Sequence, residues 1–135
     1  MGAALGALGW APTAVRCSDA VRGWQTWEGL AAGLRRHPHI PSTLPDATLD
    51  GALFHARAAD LHTALPLWMP DSGVLWLIGH NPSFEELVEL LTGDAVEMPT
   101  CAAALLGPGK HPGRWRLLDI VRPKQLADRG LSSLD

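Results

Sequence analysis

The spacing of hydrophobic and polar positions along the chain predicts strands and helices that alternate. Apolar residues recur every three to four positions over residues 20–34, which predicts an amphipathic helix. Ser18 lies just before this segment and can cap it, and residues 14–17 predict a short strand. The pattern then predicts a short strand over residues 48–53 and a helix over residues 56–65.

The clearest strand is the unbroken apolar run at residues 74–78, which turn residues bound on both sides. Such a run is typical of a parallel strand that is covered on both faces. Asn81 and Pro82 follow as a predicted N-cap and first helical residue, and Gly93 is placed to end that helix. His80 therefore lies between a buried strand and a capped helix.

The two ends of the chain complete this pattern. Residues 3–8 resemble the last turns of a helix that Gly9 ends, with no first turn before them. Residues 101–106 and 115–121 predict two closing strands around a turn rich in glycine and proline. Alternating strands and helices predict a layered α/β fold, and 135 residues suit a single domain over 1–135.

Composition and charge narrow the class of protein. The chain is 47% hydrophobic and 19% charged, its net charge is −3, and the sequence pI is about 6.0. A mildly acidic chain argues against nucleic-acid binding, which needs a basic face. No apolar run reaches the ~18 residues of a membrane span, and no signal peptide is recognised. We therefore expect a cytoplasmic protein with no membrane or nucleic-acid partner.

The cysteines and most histidines add little chemistry at this stage. Two cysteines make no disulfide framework, and both Cys17 and Cys101 fall in apolar runs that predict buried, reduced thiols. His37 and His39 could suggest a metal site, but two ligands in a proline-rich loop favour a solvated loop instead. We expect neither a metal nor a cofactor.

Two residues stand out as candidates for phosphoryl or anion chemistry. Arg22 falls in the first turn of a predicted helix, where a cation opposes the helix dipole, and a bound anion would resolve that misfit. An exposed surface arginine is the alternative interpretation. His80 follows a strand at a helix N-terminus, where its ring can donate to an anion. Here the alternative is a histidine satisfied by backbone groups. Ser18 and Asn81 lie at the same strand ends, where ligands bind in α/β sheets.

Two motifs carry a family resemblance. The segment Gly79-His80-Asn81-Pro82, with the apolar strand before it and the helical residues 86–93 after it, resembles the second histidine motif of the histidine phosphatase superfamily. Residues 17–26 resemble the Ser-x-x-x-Arg-x-x-x-Thr segment of the same superfamily. The small SixA-like phosphohistidine phosphatases are the branch that the chain resembles most.

The resemblance implies a three-layer α/β/α sandwich with a mostly parallel sheet and a pocket of two histidines and two arginines. It also implies that one histidine attacks phosphorus and that water then hydrolyses the phosphohistidine. Arg22 corresponds to the second phosphate-binding arginine. His80 corresponds to the second, non-nucleophilic histidine, which stabilises charge on the transferring group. We add Ser18 and Asn81 as substrate-binding candidates.

The family's Arg-His-Gly nucleophile motif does not occur in the chain. The Arg-His pair at Arg36 and His37 is followed by Pro38 and lies in a predicted loop, so we reject it as the nucleophile. We expect the domain to be N-terminally incomplete and its sheet to lack the first strand. Asp50 lies near the position of a proton donor in larger relatives, but a surface or capping aspartate is the preferred interpretation.

The sequence thus predicts a phosphoryl-group hydrolase of the histidine phosphatase type. Its expected substrate is phosphohistidine on a signalling protein, with a small phosphorylated metabolite as the second choice. The chain itself is expected to be inactive, because covalent catalysis needs the nucleophile. The alternative is a catalytically inactive remnant that binds phosphate or a protein partner.

Overall fold

The structure, a computed structural model, describes residues 1–36 and 43–131. Its helices are α1 (Gly2–Ala7), α2 (Val21–Arg35), α3 (Ala58–Trp68) and α4 (Ser83–Thr92). Its strands are β1 (Ala14–Ser18), β2 (Ala47–Asp50), β3 (Leu75–Ile78), β4 (Ala103–Pro108) and β5 (Trp115–Val121). Short 3-10 turns follow β2 and β5, at Gly51–Leu53 and Pro123–Gln125.

The strands form two separate sheets. A three-stranded parallel sheet has the order β2-β1-β3, with Cys17 of β1 opposite Leu49 of β2 and Ile78 of β3. The other sheet is the antiparallel pair β4 and β5, whose register shifts between Leu105 and Leu106. Because β1, β2 and β3 run parallel, the loops that follow them all lie at the same end of the sheet, its carboxyl edge.

Apolar clusters on both faces of the parallel sheet define three layers. On one face, Val15, Cys17 and Ile78 pack with tryptophans of α2. On the other face, Leu75 and Leu77 pack against the buried leucines of α3 and α4. Alternate residues of each strand point to opposite faces, so the sheet is sandwiched between helices. A third cluster joins α1 to the β4–β5 pair.

The mixed α/β fold, its parallel sheet and the order of its elements are confirmed. The helix predicted over residues 20–34 is α2, and Gly93 ends α4 in a left-handed conformation at φ 82°. The strand predicted over residues 48–53 is shorter, because a 3-10 turn replaces its second half. The expectation of a missing first strand stays a prediction.

Several local expectations were wrong. Residues Leu75 to Leu77 are only half-buried, because β3 lies at the edge of the sheet and, among the described strands, pairs only with β1. Pro82 is the N-cap residue of α4 rather than its first helical residue, and it follows a cis peptide bond. Cys101 is exposed rather than buried, because it lies in a turn before β4.

Candidate active site

The carboxyl ends of β1 and β3 bring Ser18 and His80 into direct contact. The two strands pair in parallel up to Cys17 and Ile78, so the residues that follow them emerge side by side. The Ser18 hydroxyl oxygen lies 2.9 Å from Nε2 of His80. Ser18 is fully buried, at 0% exposure. The contact joins residues that are 62 positions apart in sequence.

Ser18 also links His80 to the start of α2. The backbone N–H of Ala20 donates to the Ser18 hydroxyl oxygen at 3.3 Å. Nε2 of His80 is hydrogen-bonded to Ser18. Nδ1 has no hydrogen-bond partner among the described residues, so it is the ring nitrogen that can meet a ligand. The serine therefore fixes both the position of the imidazole and the nitrogen that it presents.

Arg22 lies in the first turn of α2, beyond the same edge of the sheet, and is exposed. Within residues 1–36 and 43–131, its guanidinium has no ion pair or hydrogen bond. The N-cap residue Ala20 supplies no side-chain bond to the helix amides. An unpaired cation and uncapped amides at one helix N-terminus form a favourable environment for an anion.

Asn81 holds the loop after His80 in place. Its side-chain oxygen accepts from the N–H of Glu85 at 3.2 Å, and its side-chain nitrogen donates to the carbonyl of Met98 at 2.6 Å. The Glu85 carboxylate in turn accepts from the N–H of Met98 at 2.7 Å. Asn81 is thus a positioning residue in this structure, and its role in binding substrate stays a prediction.

Asp50 acts as a cap and an ion-pair partner. One carboxylate oxygen accepts from the N–H of Ala52 at 2.9 Å, and the other lies 2.8 Å from the Arg16 guanidinium. Arg16 also lies over the ring of Trp68, 4.9 Å from its centroid. This arrangement agrees with the preferred interpretation of Asp50 as a capping aspartate.

His37 and His39 lie outside the described residues.

Sequence reasoning missed two aromatic side chains near the site: Phe54, which contacts His80, and His55, which contacts Phe54. The ring of Phe54 lies edge-on to His80, with centroids 5.5 Å apart, and 3.9 Å from the ring of His55. Both residues follow the 3-10 turn after β2. No local pattern marks them, because the contact depends on how β2 and β3 are arranged in the sheet.

Cys17 is next to Ser18 but is not a nucleophile at neutral pH. Burial raises the pKa of its thiol to about 11, and its Sγ lies 3.3 Å from the Ser18 carbonyl oxygen. Since the thiolate is the reactive form, the thiol stays inert below that range.

The described residues lack both a metal-binding cluster and a membrane-spanning helix. No group of three or more histidine, cysteine, aspartate or glutamate side chains in residues 1–36 and 43–131 is arranged to hold a metal ion. In the same part of the chain, no helix has the length and apolar character needed to cross a membrane.

Comparison with solved structures shows that the chain shares its fold with two proteins. The SixA protein histidine phosphatase, solved with tungstate, superposes with a TM-score of 0.75 at 19% identity, over 93% of this chain and 78% of that one. A protein provisionally assigned as phosphohistidine phosphatase SixA, from Agrobacterium tumefaciens, gives a TM-score of 0.70 at 22% identity, over 90% and 75%. At these identities the likeness establishes the fold alone.

Sequence comparisons add a plant relative. The chain is 30% identical over 135 residues to an uncharacterized chloroplastic protein of Arabidopsis thaliana. The alignment covers 88% of this chain. The chain spans 60% of the length of this curated relative. No protein-family model matches the chain.

Proposed function

We propose that the protein is a phosphoryl-group hydrolase of the histidine phosphatase type that acts on phosphohistidine in a signalling protein. The observation that carries the proposal is the meeting of His80, Ser18 and the start of α2 at the carboxyl edge of a SixA-type sheet. The guanidinium of Arg22, which has no ion pair or hydrogen bond among the described residues, lies on the first turn of that helix and supports the proposal.

The proposed catalysis depends on the negative charge of the phosphoryl group. A phosphoryl group beside α2 would receive hydrogen bonds from uncapped amides and from the guanidinium of Arg22. Nδ1 of His80, when it carries a proton, would donate to a second phosphoryl oxygen, because the other ring nitrogen contacts Ser18. Phosphoryl transfer spreads negative charge over these oxygens, so fixed donors stabilise the transition state more than the ground state.

The attacking histidine is not among the residues of this site. The 135 residues contain no Arg-His-Gly sequence. Within the proposal, this chain supplies phosphoryl binding and charge stabilisation, and a chain limited to these residues forms no phosphoenzyme. The alternative function, phosphate or partner binding without catalysis, uses the same arrangement of Arg22 and His80. The cytoplasmic location stays a prediction.

Anion binding can be tested by titrating the chain with inorganic phosphate or vanadate and following amide chemical shifts. We expect shifts at the start of α2 and around His80. Arg22→Ala should weaken binding by about tenfold or more, since a charge-assisted hydrogen bond contributes ~1.5–3 kcal/mol. Arg35→Ala is the matched control, because Arg35 is an exposed arginine at the opposite end of the same helix. Equal losses in both variants would contradict the proposed site.

Catalysis is tested separately with a phosphohistidine-bearing protein and with small phosphate monoesters. We expect neither acid-labile phosphate on the 135-residue chain nor turnover above background. A longer protein that includes an Arg-His-Gly segment should hydrolyse the phosphohistidine substrate in preference to the monoesters. Faster monoester hydrolysis would favour a small metabolite as substrate. Phosphorylation of the 135-residue chain itself would show that the nucleophile lies within it.

A further inference from the structure

Two exposed aromatic side chains, Phe54 beside His80 and His55 beside Phe54, take no part in the proposed phosphoryl site. Phe54 is 47% exposed although it is a large apolar residue. Its ring contacts both His80, edge-on at 5.5 Å, and His55, tilted at 3.9 Å. Apolar and aromatic side chains next to a few convergent polar groups are the usual lining of a ligand site.

The backbone at this pair is strained. His55 has a φ of 59°, in the left-handed region that residues with a Cβ rarely adopt. Such a conformation costs about 1–2 kcal/mol and persists only where the surroundings enforce it. Strained residues of this kind concentrate at ligand-binding positions, so the position of the aromatic pair is a feature that needs an explanation.

The segment that carries the pair is anchored at both ends. At its start, the Asp50 carboxylate accepts from the N–H of Ala52 at 2.9 Å, which fixes the 3-10 turn. At its end, the Ser83 hydroxyl donates to the carbonyl of Ala56. Ser83 is the first residue of α4, the helix that follows His80. The pair is therefore tied to the same element that positions the histidine.

We propose that Phe54 and His55 contact the group that carries the phosphoryl and favour a planar heteroaromatic carrier, such as an imidazole ring, over an aliphatic one. This inference rests on the proposed function, because it places the phosphoryl group at Arg22 and His80. A carrier that leaves that position on the side of His80 would meet the exposed ring of Phe54. Aromatic pairs contribute ~0.5–1.5 kcal/mol beyond the area that they bury.

The test compares the binding of three probes by amide chemical-shift titration: inorganic phosphate, phosphohistidine and phosphoserine. We expect the unaltered chain to bind phosphohistidine more tightly than phosphoserine. Phe54→Ala should lower that preference roughly two- to tenfold, the range of a lost aromatic pair, and leave phosphate affinity unchanged. Phe54→Leu should act in the same direction, because it keeps apolar bulk but removes the ring. His55→Ala should also lower the preference.

Leu67→Ala serves as the control, since Leu67 is 86% exposed on α3 and its loss should change none of the three affinities. An unchanged preference in both Phe54→Ala and His55→Ala would overturn the inference while phosphate still binds. An equal fall in all three affinities would also overturn it, because it would assign the pair to phosphate binding or to folding. Failure of the unaltered chain to bind phosphate would instead refute the proposed function on which the inference rests.

Discussion

Gly23 lies where α2 comes close to Ser18 at the carboxyl end of β1, so Gly23→Ala should damage the candidate site. A Cβ on Gly23 would lie 2.7 Å from the carbonyl oxygen of Ser18 and 3.0 Å from its Cβ. Side chains essentially never approach backbone that closely, so either the helix or Ser18 must shift. Gly29 on the same helix is the matched control, because a Cβ there has no neighbour within 4 Å.

The magnitude follows from two opposing terms. Alanine is about 1 kcal/mol more favourable than glycine inside a helix, and both variants gain this. Overpacking costs about 1–3 kcal/mol and applies only at Gly23. We therefore expect Gly29→Ala to raise the free energy of unfolding by about 1 kcal/mol. Gly23→Ala should leave it unchanged or lower it by up to about 2 kcal/mol.

Urea denaturation measures both values, provided that the slope m stays the same in the two variants. The shift of Ser18 should also weaken its hydrogen bond to His80, which is 2.9 Å long in the structure. We expect the imidazole nitrogen resonances to move in Gly23→Ala and to stay in place in Gly29→Ala. If the two variants were equally stabilised and neither disturbed the imidazole, the close approach of α2 to β1 would be refuted.

The remaining predictions concern buried and strained residues. Burial raises the pKa of Cys17 to about 11, so native protein at pH 8 should be alkylated at the exposed Cys101 and not at Cys17. Because the pKa of the folded thiol lies above its unfolded value of 9.0, its contribution to stability is fully present below pH 9. Denaturation midpoints should fall as the pH rises from 9 to about 11, because the contribution is lost over that range. His55→Gly should be about 1 kcal/mol more stable than His55→Ala by urea denaturation, because only glycine adopts a φ of 59° without strain; equal stabilities would show that the backbone there is relaxed. Leu34→Ala should lower the free energy of unfolding by about 2–5 kcal/mol, because Leu34 is 0% exposed and its loss leaves a cavity; a change below 1 kcal/mol would contradict its place in the core.

The sequence by itself determined the elements and the fold class. Helical spacing identified α2, and the apolar run followed by a proline and a later glycine identified β3 and α4. These signals are local, because periodicity and capping depend on residues within a few positions of each other. The two motifs around Arg22 and His80 also predicted that their residues lie at one edge of the sheet, since residues at the ends of parallel strands share that edge.

Only the tertiary structure decided which atoms meet at that edge. The contact between Ser18 and His80 depends on the strand order β2-β1-β3, which no local pattern encodes. The same strand order places Phe54 beside His80 and lets Asp50 form an ion pair with Arg16. Half-burial of β3 follows from its position at the edge of the sheet, whereas its apolar sequence predicted full burial. The burial of a side chain and the pairing of a strand depend on which elements lie next to it. Elements distant in sequence become neighbours only when the whole chain packs.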